Sequence, residues 1–187
     1  VEPLARGAFQ RRNLATARAA AQALLGDARP LEPAAVTAAA ASTLVPGRFE
    51  VVGGAPVTVF DGAHNPAGVA ALAETLPAFV AGRRLVAVVS VLDDKDAAAM
   101  LAPLLALSDA VVACASANPR ALAAGALAAL AREGGPRAAV EAEPEPHAAL
   151  ARARALAGPD GVVLVTGSIY LVADLLRPPG APPGATL

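Results

Sequence analysis

The sequence predicts an α/β fold built on a mainly parallel, doubly wound sheet of about six strands. A β-hairpin opens the sheet, and two helices precede the hairpin. Three observations carry this. From residue 57 onward, short apolar runs alternate with helical segments, the pattern of successive βαβ units. The runs LVAVVS (85–90) and GVVLV (161–165) are unbroken, as in strands covered on both faces. And the only stretch that breaks this order, FEVVGGAPVTVF, has a Gly53-Gly54 turn between two short strand-like runs.

The elements follow in order. Residues 13–25 place Leu14, Ala17, Ala21, Leu24 and Leu25 at helical spacing, and Gly26 is a stop signal. After the loop GDARPLEP, Pro33 opens a second helix running to about Ser42. The hairpin strands are 49–52 and 56–60. Helices are expected at 66–76, 95–106, 120–132, 146–156 and 168–176, and strands at 85–90, 110–114, 138–141 and 161–165. Such a fold is Rossmann-like. The tail RPPGAPPGATL is Pro/Gly-rich and reads as flexible.

Composition narrows the function classes. The chain has 187 residues, 56% hydrophobic, only 3% aromatic, and a net charge of −1. Without a basic run or stacking aromatics, a nucleic-acid partner is disfavoured. No apolar stretch is long enough for a membrane span and no signal peptide is visible, so the expected location is the cytoplasm. The one cysteine, Cys114, lies in a strand-like run and reads as a small core residue.

In a doubly wound sheet, ligands bind beyond the carboxyl ends of the strands. Three polar clusters fall there: 61–65, 90–96 and 166–168. The first, DGAHN, lies between a strand and a helix. Asn65 before Pro66 is explained by helix capping. Capping does not explain Asp61 or His64. A carboxylate there can accept two ribose hydroxyls, and an imidazole at a helix N-terminus can donate to a phosphate or carboxylate. One His and one Asp fall short of a zinc set, so no metal site is expected in this chain. Lys95 is the only lysine of the sequence and lies between Asp94 and Asp96. That suggests a need for a compact ammonium, against the plainer reading of a solvated helix start. His147, beside Pro and Glu at a helix start, reads as a surface residue.

The motifs PGRFEVV and DGAHNP, with GAFQRRNLATARAA near the start, VLDDKD at 91–96 and TGSIYLVADLL at 166–176, occur in one order along the chain. Together they resemble the C-terminal domain of the folylpolyglutamate synthase/dihydrofolate synthase family, within the Mur ligase superfamily. Ser90 stands where that family often has Gly. The resemblance implies an ATP-dependent ligase that phosphorylates a dihydropteroate or folate carboxylate and joins it to L-glutamate. It implies that Asn13, Arg48 and Asp61 face the nucleotide, that His64 sits near the γ-phosphate or the incoming glutamate, and that Ser168 binds a glutamate carboxylate. His64, and Lys95 on the ground of its compact ammonium, are the candidates for the chemistry.

The family's ATPase domain carries a P-loop, and this sequence has no G-x-x-x-x-G-K-[ST]. Residues 1–45 are therefore expected to be the last helices of an ATPase domain plus a linker. Residues 46–177 would be the complete C-terminal domain and 178–187 a tail. ATP and Mg2+ are the expected cofactors, with the magnesium ligands mainly in the ATPase domain, and this chain alone is not expected to be active. The alternatives are a cell-wall Mur ligase domain or a stand-alone nucleotide-binding module. A dehydrogenase or methyltransferase is disfavoured by the lack of G-x-G-x-x-G after a strand.

Overall fold

A computed structural model describes residues 7–135 and 137–178. Two helices, α1 (Ala8–Leu25) and α2 (Pro33–Ser42), come first. The hairpin strands β1 (Glu50–Val52) and β2 (Val57–Phe60) pair antiparallel, with Val51 opposite Val59. The chain then runs α3 (Pro66–Val80), β3 (Leu85–Val89), α4 (Ala97–Leu107), β4 (Ala110–Ala113), α5 (Ala124–Glu133) and β5 (Ala139–Ala142). It closes with α6 (Pro146–Ala157), β6 (Val162–Thr166) and α7 (Ile169–Leu176). The six strands are ordered β1-β2-β6-β3-β4-β5, and all pairs except the hairpin are parallel.

The last strand therefore returns to fill the gap between β2 and β3. Its path follows from handedness. The outward steps β2 to β3 to β4 to β5 place α3, α4 and α5 on one face, and the return step places α6 on the other, as right-handed crossovers require. On the first face Val69, Leu72 and Leu76 of α3, Met100 and Leu104 of α4 and Leu127 of α5 cover Ala87, Val89 and Leu164. On the second, Ala149 and Ala153 of α6 and Leu171 of α7 cover Val86, Val88 and Val165. Each fully buried Leu side chain in these layers contributes about 1.5–3 kcal/mol. Cys114 belongs to this second layer, and burial pushes its thiol up to about 12.

Three helix boundaries differ from the sequence reading by four residues or more, each for a packing reason. Helix α1 starts at Ala8, five residues before Asn13, which therefore lies inside the helix. The new first turn brings Phe9 against the α3 layer. Helix α3 continues past Pro77, whose missing N–H costs one bond near the helix end, because burial of Val80 holds the last turn. Ala81 in the left-handed conformation then ends it. Helix α5 starts at Ala124 instead of 120. Residues 120–122 are taken up by bonds to the loop after β3: Asp93 N–H donates to Arg120 O and Leu122 N–H to Val91 O. Strand β5, one residue later than the sequence reading, is an edge strand with exposed positions. Of the expected tail, residues 179–187 lie outside the described residues.

Candidate functional site

Because β2, β6 and β3 are neighbours, the loops that leave their carboxyl ends meet. Gly167 N–H donates to Ala63 O at 3.0 Å, and Ser90 N–H to Thr166 O at 3.3 Å. The three polar clusters read from the sequence are thus bonded side by side. Gly167 sits at φ +95°, and a Cβ there would lie 2.5 Å from Ser90 O. Only glycine permits that approach. Ser90 uses its hydroxyl to accept Ser116 N–H at 3.0 Å, tying the next loop to the same edge.

Asp61 follows β2 and is 2% exposed. Its Oδ1 accepts Ala63 N–H at 2.8 Å, and its Oδ2 accepts Phe49 N–H at 2.8 Å. The carboxylate therefore clasps the linker to the turn. Burial raises its pKa from the ordinary 3.8, opposed by the two amides and by the charge of Arg48. Desolvation is the dominant effect, since the charged form loses more water than the amides replace. The clasp is reinforced where Gly62 N–H donates to Gly47 O at 2.7 Å. Phe49 is held at φ +46°, uncommon for an aromatic residue. Its ring packs edge-on against Phe79 at 5.3 Å.

His64 is half-buried, and its Nδ1 donates to Gly62 O at 2.9 Å. A carbonyl can only accept, so the proton is on Nδ1, leaving Nε2 for a ligand. Asn65 caps α3, accepting Gly68 N–H at 2.8 Å. Ser168 caps α7, accepting Tyr170 N–H at 3.1 Å, and is 1% exposed. Its hydroxyl proton remains for donation.

Lys95 lies in the loop after β3, and its Nζ donates to Asp94 Oδ2 at 2.9 Å. Asp96 caps α4 through Ala99 N–H. Arg48 lies beside the clasp and forms a turn with Val45 through its amide. Asn13 stands apart on α1 and donates to Gln10 Oε1 at 3.0 Å. Both line an apolar groove of about 490 Å³ between α1 and α2. The structure thus brings Asp61, His64, Lys95 and Ser168 to one sheet edge, with Arg48 on its rim. The loop after β4 joins that edge too. The sequence reading missed it, because Ser116, Asn118 and Arg120 form no recognisable pattern; the only signal was the Asn-Pro pair at 118–119.

No cluster of three or more His, Cys, Asp or Glu suited to a metal occurs among the described residues. No helix there is long and apolar enough to cross a membrane.

Comparison with known proteins bears on this edge. Residues 47–169 match the family "Mur ligase, glutamate ligase domain". The chain is 43% identical over 129 residues to the dihydrofolate synthase/folylpolyglutamate synthase of Mycobacterium tuberculosis, covering 68% of this chain and 26% of that protein. It is 34% identical over 137 residues to the Escherichia coli enzyme of that name, covering 73% and 31%. Among solved structures it superimposes on M. tuberculosis folylpolyglutamate synthase complexed with ADP and AMPPCP. The TM-score is 0.83 at 36% identity, over 97% of this chain and 42% of that one. It also superimposes on E. coli FolC in complex with DHPP and ADP, with a TM-score of 0.80 at 30% identity, over 93% and 39%. The chain therefore spans less than half the length of each of these relatives. With the family matched across the hairpin, the sheet and the three clustered loops, this chain belongs to the Mur ligases, as their glutamate ligase domain.

Proposed function

We propose that this chain is the C-terminal part of an ATP-dependent ligase that adds L-glutamate to dihydropteroate or folate. The observation that carries the reading is the convergence of His64, Lys95 and Ser168 on one edge, beside the clasped linker. The relatives solved with ADP and the glutamate ligase family match support it.

In this reading a pterin-linked carboxylate oxygen attacks the γ-phosphorus of ATP. The bond to the bridging oxygen breaks and ADP leaves. The glutamate amine then attacks the acyl carbon, loses a proton, and phosphate departs. The chain's part is to hold anions and exclude water. Ser168 and the α7 N-terminus suit a glutamate carboxylate, and His64 in its doubly protonated form can donate from Nε2 to the same group or to a phosphate oxygen. Lys95 offers a compact positive charge for the transferred phosphoryl group. Arg48 and Asn13 face the nucleotide from the linker and α1. Asp61 suits the ribose hydroxyls, and because the same carboxylate holds Phe49 N–H, it ties the nucleotide site to the linker. Magnesium would neutralise phosphate charge in such a reaction, held mainly by the ATPase domain.

The partner follows from α2. PAAVTAAAAS is apolar on every side, yet Ala40 is its only buried residue. Such a helix is buried in a larger body, here a preceding ATPase domain to which residues 1–45 belong, with 46–177 as the closing domain and 178–187 as a tail. The assembly acts in the cytoplasm.

A chimera tests this. Residues 47–178 replace the matching part of the M. tuberculosis relative, and ATP-dependent glutamate addition is measured. Activity is expected. His64→Ala and Lys95→Ala each lower kcat at least about tenfold, or ~1.4 kcal/mol. A folded chimera whose rate is indifferent to both changes refutes the assignment.

A further inference from the structure

Lys95 does not hold its position alone. Its ammonium donates to Asp94 Oδ2, and the other oxygen of that carboxylate accepts from Arg120 Nη2 at 3.0 Å. Asp94 thus bridges an ammonium and a guanidinium, one on each oxygen. Both cations pull its carboxyl below the usual range, the Lys95 hydrogen bond most strongly. An exposed pair of this kind is usually worth little, because two long side chains must be frozen to form it. Here the backbone removes part of that cost. Asp93 N–H donates to Arg120 O at 2.8 Å, directly beside the side-chain contact, and Leu92 pairs with Ala121. The two loops are already joined where the side chains meet.

Arg120 is itself anchored from behind. Its N–H donates to Oδ1 of Asn118, which is buried. One residue earlier, Ala117 N–H donates to Asp174 Oδ2 of α7 at 2.8 Å. Ser116 N–H is held by Ser90 Oγ. A line of bonds therefore runs from α7, the helix that Ser168 caps, through residues 116–120 to Asp94 and Lys95.

We propose that Arg120 is a positioning residue for Lys95. It fixes the Asp94 carboxylate, and that carboxylate fixes the ammonium at the carboxyl edge of the sheet. A lysine stem is long and rotamer-rich, and a single carboxylate on an exposed loop turns with it. Bonding the second oxygen to the brace removes that freedom. Arg120 touches no reacting group in this arrangement. The inference goes beyond the ligase reading, because it concerns where the ammonium is held and names no substrate.

The test uses the whole chain, in which Lys95 is the only lysine. Lysine labelled with carbon-13 then gives one side-chain spin system, and its Cε relaxation reports how far Lys95 is ordered. The wild type should be more restrained than a free lysine side chain. Asp94→Asn and Arg120→Gln should each shift it toward the free value. Arg137→Gln, an exposed arginine away from the network, should not. The double variant Asp94→Asn with Arg120→Gln should be no looser than Asp94→Asn alone, since Arg120 acts through Asp94. Wild-type relaxation in Arg120→Gln, with the Leu122 amide still protected from exchange, would overturn the proposal. So would a double variant looser than Asp94→Asn. None of these outcomes depends on ligase activity, so the proposal and the functional reading fail separately.

Discussion

Asp61 shows how one buried side chain can tie two distant segments of the chain together. Two backbone amides rest on it, so Asp61→Ala leaves two buried donors unpaired, at about 1–3 kcal/mol each. Asp61→Asn keeps one acceptor and removes the charge. Because burial raises the folded pKa above 3.8, folding takes up a proton. The stability linked to this group is therefore fully present below 3.8 and is lost as pH rises through the folded value. Urea midpoints of wild type and Asp61→Asn across the acid range check this. The wild-type advantage should be largest at the acid end and shrink as pH rises; an advantage that grows with pH contradicts it.

At the scale of elements, the site depends on how closely the ends of β2, β6 and β3 approach. Gly167 is where that approach is tightest. Gly167→Ala places a methyl group 2.5 Å from Ser90 O at φ +95°, which combines a clash with backbone strain. A loss of roughly 2–4 kcal/mol is expected, read as a lowered urea midpoint. Gly82→Ala also has a positive φ but open space around it. It should cost about 1 kcal/mol, from backbone strain alone. Equal losses in the two variants would show that contact with Ser90 is not what demands glycine at 167.

Across the whole molecule, stability is concentrated in the two helix layers on the sheet, while α1 and α2 contribute little burial. Leu164 lies at the centre of β6 and is fully buried, whereas Leu24 on α1 is 88% exposed. Leu164→Ala should cost about 2–5 kcal/mol through lost contacts and the cavity left behind. Leu24→Ala should change stability by less than ~0.5 kcal/mol. Denaturant unfolding of both measures the contrast. A large effect at Leu24 would mean that another copy of the chain covers α1 in solution.

Local chemistry alone determined most of the elements of this protein. Unbroken Val and Leu runs specify strands covered on both faces, and Asn65-Pro66 caps a helix wherever the chain goes; the hairpin expected at Gly53-Gly54 forms, but through the longer connection 53–56. These signals act over a few residues, so they are readable in order along the chain. Asp61, His64, Lys95 and Ser168 could be singled out in the sequence because they lie in short polar clusters at strand ends. Only the tertiary structure decided what those residues touch. Asp61 is turned inward because Phe49, twelve positions away in sequence, brings an unpaired amide to it. Lys95 is braced by Arg120 because β3 and β4 are adjacent and their following loops bond to each other. The return of β6 between β2 and β3 likewise follows from crossover handedness and packing of both faces. A hydrogen bond between distant residues leaves no periodic trace in sequence, and adjacency of strands is a property of the folded sheet.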